Sequence, residues 1–420
     1  MKALLQRRPV LAWALYDWAN SAFATTVMAG FFPVYFRQFW SLGTDPGIST
    51  ARLGLANGIA GFVVAVLAPF LGALADRSGR RKRWLAAWTV LGVLGTAGLY
   101  LTARGEWMLA ALLYCLATMG FNGGMVFYDS LLPIVARRED YDRVSAFGYA
   151  LGYVGGGLLF LLNVLMYLRP GWFGLASSQA AVQLAFLLVA LWWAVFTLPL
   201  LAGVIEPRGV AAGPLAALTQ GWRELAGTLR AARAHRPLWL FLVAYWLYID
   251  GVNTVIKMAV DFGMAIGLPA SGLLGALLLT QFIAFPAAIG FGWLGGRVGP
   301  KAAILGGIAV YVLITLWAMS LRSVAEFYAM AVCVGLVQGG VQSLSRSLYG
   351  RFVPAGKSAE YYGFYNMIGK FATVLGPLMI AATAAATGSA RHAIASIALL
   401  FIAGGLLLAR VQLQPAGSSA

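Results

Sequence analysis

The sequence predicts an all-α polytopic membrane protein, with 12 transmembrane helices in two pseudo-symmetric six-helix bundles. Three observations carry this prediction. Of the 420 residues, 61% are hydrophobic and 10% charged, and mean hydropathy is +0.80; soluble domains are ~45–50% apolar and ~25% charged. The apolar residues gather into 12 runs, each near the ~20 residues that a helix needs to cross a bilayer. The second six runs repeat polar features of the first six in the same order.

In chain order the runs lie at about 10–36, 53–75, 84–103, 107–135, 144–168, 180–203, 237–260, 271–294, 302–321, 324–350, 360–386 and 392–409. The first opens after Lys2, Arg7 and Arg8, as a signal peptide does, but Asp17 interrupts it and it stays apolar to Phe36. It therefore reads as a retained span. Runs one to six form an amino-terminal bundle over 1–203, and runs seven to twelve a carboxy-terminal bundle over 237–420. Between them, 204–236 is the longest polar stretch. Leu215, Leu218, Trp222, Leu225 and Leu229 recur there at helical steps among Arg223, Arg230 and Arg233, which predicts an amphipathic helix on the membrane surface. The tail 414–420 is polar and small-residue-rich and is expected to be disordered.

Charge sets the orientation. The net charge of +16 does not mark a nucleic-acid partner, because Lys and Arg cluster between apolar runs. With an even number of spans, the termini and alternate loops share one side; that side carries 21 of the basic residues and the other side six. The positive-inside rule then puts both termini in the cytoplasm of a cell whose inner or plasma membrane holds the chain. Cys115 and Cys333 sit inside apolar runs and read as small buried hydrophobes. His235 and His392 lie outside the runs. No metal site, cofactor or enzymatic cluster is expected, and no phosphate-binding Walker segment appears.

The repeat is specific. Asp17, Asn20 and Ser21 in the first run match Asp250, Asn253 and Thr254 in the seventh, 233 residues on. Asn122-Gly-Gly in the fourth matches Gln338-Gly-Gly in the tenth. After the second run stands Gly72-x-x-x-Asp76-Arg77-x-Gly79-Arg80-Arg81; after the eighth stands Gly292-x-x-x-Gly296-Arg297-x-Gly299-Pro300-Lys301.

The 72–81 segment resembles the loop 2–3 signature of the major facilitator superfamily. The opening Trp13-Ala-Leu-Tyr-Asp17-Trp18-Ala-Asn20-Ser21-Ala-Phe23, followed by Phe31-Phe-Pro33-Val-Tyr-Phe36, resembles the Atg22-like, or UMF1, branch of that superfamily. The resemblance implies a secondary transporter working by alternating access; a monomer is expected. Its eukaryotic relatives are associated with vacuolar amino-acid efflux, and the compact loops here look bacterial. It also implies that Gly72, Asp76, Arg77, Gly79, Arg80 and Arg81 form a cytoplasmic gate. Two features depart from the pattern: Gly296 stands where the second signature would hold an acid, and the fifth run has five glycines but no proline.

Charges inside a bilayer cost ~2.5–3.5 kcal/mol or more each, so they persist where a cavity or partner receives them. Asp17, Asn20 and Ser21 share one helical face. So do Asp250, Asn253, Thr254 and Lys257. Asp129, Gln338, Gln342, Arg346, Asn366 and Lys370 complete the candidate cavity set. Asp129 is expected to pair with one of the cations across the cavity. Asp250 and Lys257, ~10.5 Å apart along a helix, need other partners. These acids and bases suit a small zwitterionic, amino-acid-like solute, with a proton carried by Asp17 or Asp250. The competing reading is a lipid or amphiphile flippase, drugs included. Besides membrane lipids, the partners expected are the solute and the proton.

Overall fold

In a computed structural model, the structure describes residues 7–44, 46–207, 227, 230, 233–372 and 375–412. Among these, all regular structure is helical. Eleven helices are long and apolar enough to cross a membrane: α2 (Leu55–Ser78), α3 (Arg81–Leu101), α4 (Trp107–Val135), α5 (Arg138–Leu168), α6 (Ser178–Gly203), α7 (Arg236–Ala259), α8 (Gly275–Val298), α9 (Pro300–Ser320), α10 (Val324–Gly350), α11 (Ser358–Thr387) and α12 (Arg391–Ala409). They match runs two to twelve. The first run is α1, residues 8–40, which is helical throughout but not uniformly α. Phe23–Phe31 and Phe36–Trp40 wind as wider π-helix on either side of the turn holding Pro33. Proline lacks an N–H and crowds the carbonyl four residues back, so the ladder around it is reorganised. The expected amphipathic helix in 204–236 falls largely on 208–232, and the tail on 413–420, outside the described residues.

Local chemistry fixes the helix ends. Gly79 takes a left-handed φ of 60° and stops α2, and Gly299 at φ 87° separates α8 from Pro300, which opens α9. Ser177 and Ser323 cap α6 and α10 with their hydroxyls.

The packing repeats between halves. In the first, α1 packs on α6, α2 on α4, and α3 on α4 and α6; in the second, α7 packs on α12, α8 on α10, and α9 on α10 and α12. Across the halves the same symmetry holds: α2 meets α11 as α8 meets α5, and α4 meets α11 as α10 meets α5. This is the pseudo-two-fold arrangement that the sequence repeat predicts.

Glycines set the closest approach between halves. A Cβ on Gly72 of α2 would lie 2.2 Å from the Ala359 carbonyl oxygen at the start of α11. A Cβ on Gly363 of α11 would lie 2.7 Å from the Ala68 carbonyl oxygen. Both obstacles are backbone, so neither can swing aside. Gly72→Ala is therefore expected to hold α2 and α11 apart. Amide hydrogen exchange over 358–362 reports this: the variant should exchange at least roughly tenfold faster there than the parent, and unchanged protection would show that the contact is not tight in solution.

Candidate functional site: a buried ion cluster between the halves

Arg346 of α10 has no exposed surface. Its head group is held by the opposite half. Nη1 lies 3.1 Å from Asp129 Oδ1 of α4 and 3.5 Å from Asp17 Oδ2 of α1. Nε donates to the Ser145 hydroxyl at 2.8 Å and Nη2 to the Ser145 carbonyl at 2.9 Å, both on α5. Aromatic faces of Trp13, Tyr128 and Tyr149 surround the guanidinium, with centroids 4.9, 5.3 and 4.4 Å away. The acids are themselves fixed. Tyr128 donates its phenol to Asp17 at 2.7 Å while its ring stacks on Trp13, and Asn366 of α11 donates to the other oxygen of Asp129 at 2.9 Å. Tyr362 of α11 donates to the Arg346 carbonyl. A guanidinium delivers planar, directed donors that ammonium cannot match, which suits this many acceptors.

Further ties cross the halves towards the end that bears the chain termini. Asp76 accepts from the backbone N–H groups of Ala359 (2.9 Å) and Glu360 (2.8 Å), and from Arg81 of its own half at 2.9 and 2.5 Å. The carboxylate thus caps the first turn of α11, which starts behind Lys357 with no cap of its own. On the symmetry-related side Gly296 provides no acid, and Arg143 stands 3.7 Å from where its Cβ would be. Asp142 of α5 bridges the halves there instead, accepting from the Ser347 hydroxyl and, at 2.6 Å, from Arg351. Arg138 donates to the Arg351 carbonyl, and the Ser145 hydroxyl donates to the Ser343 carbonyl at 2.7 Å. In the loop 2–3 segment, Arg80 is exposed, Gly79 makes the turn, and Arg77 keeps contacts within its surroundings.

The repeated stripe of α7 has other partners. Both oxygens of Asp250 are engaged within its own half. Oδ2 accepts from the Leu375 N–H at 2.9 Å, and Oδ1 from the Gly376 N–H at 3.1 Å and from the Thr254 hydroxyl at 3.2 Å. Asn253 donates to the Ala372 carbonyl at 3.4 Å. These groups flank the point where α11 divides into Ser358–Phe371 and Leu375–Thr387. The stripe takes up backbone groups that the divided helix cannot pair internally. In α1 the stripe faces unbroken α5: Asp17 turns to Tyr128 and Arg346, Asn20 donates to Met125 Sδ, and Ser21 packs where Gly152 lacks a side chain. Asp250→Asn, which keeps an acceptor oxygen, is expected to cost under about 1 kcal/mol, and Asp250→Ala about 1–2 kcal/mol through the lost cap. Thermal unfolding in detergent separates the two; equal midpoints would remove the capping role.

Asp17, Asp129, Arg346 and Asn366 are thus brought together, and Asp250, Asn253 and Thr254 form a separate group. Lys370 lies within electrostatic range of Lys257 and Asp129, and Lys257 has an accessible side chain. Gln342 approaches the Tyr153 hydroxyl at 3.5 Å, and Gln338 lies beside the same residue. Sequence reasoning did not reach Asp142, Ser145, Tyr149 or Arg351. A signal for Asp142 existed: it sits 218 residues before Glu360, between the offsets of 216 for Asn122/Gln338 and 220 for Gly72/Gly292.

The helix order, the paired packing and the cross-half ties define the fold of the major facilitator superfamily. Solved structures agree: the human organic anion transporter MFSD10 superposes with a TM-score of 0.71 at 17% identity over 96% of this chain and 99% of its own. The transporter FucP, in its outward conformation, superposes with a TM-score of 0.72 at 12% identity over 98% and 100%. The chain belongs to the Atg22-like vacuole effluxer family, which matches residues 48–419. It is 37% identical over 402 residues to the MFS-type transporter YxiO of Bacillus subtilis, covering 95% of this chain and 94% of that one. It is 22% identical over 520 residues to autophagy-related protein 22 of Coccidioides immitis, covering 94% and 85%. The protein is a multi-pass membrane transporter of the MFS type, not an enzyme.

Proposed function

We propose that the protein is a secondary transporter of the cytoplasmic membrane, with both termini in the cytoplasm, that moves a small amino-acid-like solute by proton-coupled alternating access. The observation that carries this reading is the Asp17–Arg346–Asp129 cluster, in which a buried cation of one half is held by two carboxylates of the other. Protonating either acid removes one of the charges that retain Arg346. The halves then part at the end where Asp76 and Asp142 also tie them. A cluster of this kind converts a proton into a change of state because buried pairs feel little screening.

Acids concentrate in the first half and Lys257 and Lys370 in the second, so a solute with both an ammonium and a carboxylate is matched on both sides. An amphiphile carrying a long apolar tail gains nothing from these charges, which favours a solute over a lipid. Proteoliposome uptake with an amino-acid panel, with and without an imposed pH gradient, tests the reading. Flux of at least one amino acid, several-fold faster under the gradient, is expected. Indifference to every amino acid and to the gradient would refute it.

A further inference from the structure

The site around Arg346 has an unequal division of labour. Every charged, hydroxyl and aromatic group touching the guanidinium comes from the first half: Asp17, Asp129, Ser145, Trp13, Tyr128 and Tyr149. The second half supplies the guanidinium and, behind Asp129, the Asn366 amide. Two carboxylates, a carbonyl, a hydroxyl and three π-faces converging on one point make a receptor for an organic cation. Stacking on Trp13, the hydrogen bond from Tyr128 and the bond from Asn366 hold its parts in place. In this state the receptor is filled by a side chain of the other half.

We infer that Arg346 is an internal occupant of a cation site, and that the transported solute enters this site through a guanidinium or primary ammonium head that displaces it. When the halves part, Arg346 leaves with α10, while the two acids stay with α1 and α4. Two buried carboxylates left side by side repel each other and favour a replacement cation. The exchange conserves charge at the site: one cation leaves as another arrives. This also changes the role open to Arg346, since a guanidinium already bound to two carboxylates has no charge to offer a solute carboxylate in this state. Lys257, whose side chain is accessible, is left for that task. The inference rests on the transporter reading and narrows it to solutes with a cationic head.

The test uses binding, so it does not depend on flux. The full-length protein in detergent is titrated with methylguanidinium and with its neutral isostere methylurea, and thermal unfolding is followed. Arg346→Ala empties the receptor and should bind methylguanidinium at least tenfold more tightly than the parent, seen as a concentration-dependent rise in Tm. Methylurea should give no such rise, and adding Asp129→Asn should abolish the gain. Arg346→Gln, which keeps the bulk of the side chain, gives the same comparison if the alanine variant does not fold. In the parent protein, saturating methylguanidinium should lengthen the distance between spin labels placed on the two halves at the termini-bearing end. Equal binding by parent and emptied variant, or an equal response to methylurea, overturns the inference. Cation binding without any amino-acid flux would sink the amino-acid reading alone; flux of amino acids with no cation selectivity in binding would sink this inference alone.

Discussion

Replacing Asp76 by alanine will separate α2 from α11 and shift the protein away from the state seen here. Three donor groups converge on this carboxylate: two backbone N–H groups at the start of α11 and the guanidinium of Arg81. A helix cap contributes about 0.5–2 kcal/mol, and a hydrogen bond to a charged group about 1.5–3 kcal/mol. Only the bonds to α11 cross the halves, so roughly 2–3 kcal/mol of differential stability is lost when they go. That is a roughly 30- to 150-fold change in the ratio of the two states. Arg81 is left 5% exposed without its acid, so the variant is also destabilised within its own half. Asp76→Asn should fall between, since its amide oxygen still accepts from one N–H. Spin labels at Arg80 and Lys357, both exposed and on opposite halves, report the separation in a background lacking Cys115 and Cys333. An unchanged distance distribution in Asp76→Ala would show that the cap does not hold the halves together.

The fold was legible because its signals are redundant. Twelve apolar runs, the basic bias of alternate loops and three repeated motifs all point to one architecture, and the packing pairs follow from it. The first span shows the limit of hydropathy: its run from 10 to 36 gives length, but not the π-helical winding around Pro33. The site was partly legible. Intramembrane charge singled out Asp17, Asp129 and Arg346, because such charges need partners. Composition does not say which partner each takes. Asp17 and Asp250 occupy equivalent places in the repeat, yet one meets a cation of the other half and the other caps a divided helix. What separates them lies on neighbouring helices: α5 runs unbroken beside Asp17, while α11 divides before Gly376-Pro377 beside Asp250. Asp142 was hidden for a different reason. It stands among Arg137, Arg138 and Arg143 at a span end, where a single acid reads as part of a solvated charge cluster.

The largest effect is expected at Arg346, and a compensating variant shows what the cluster is for. Arg346→Met removes the cation that pairs with both Asp17 and Asp129. Both acids are over nine-tenths buried. Removing one member of a buried ionic group leaves uncompensated charge and costs about 3–5 kcal/mol. Thermal unfolding in detergent should register this as a large fall in midpoint. Methionine fills most of the space and its sulfur suits a site walled by Trp13, Tyr128 and Tyr149, so lost packing is a minor part of the cost. Neutralising the acids as well, with Asp17→Asn and Asp129→Asn, removes the stranded charge. Tyr128 and Asn366 still find an acceptor oxygen on each asparagine. The triple variant should therefore recover most of the lost stability, as replacement of whole buried ion groups by neutral ones often does. It should not recover transport, because nothing remains at the site for a proton or a cationic head to exchange with. A triple variant that is stable and still carries solute at the parental rate would mean that the cluster serves folding alone. One that stays as unstable as Arg346→Met would place the cost in the lost bonds to Ser145, not in the charge of the acids.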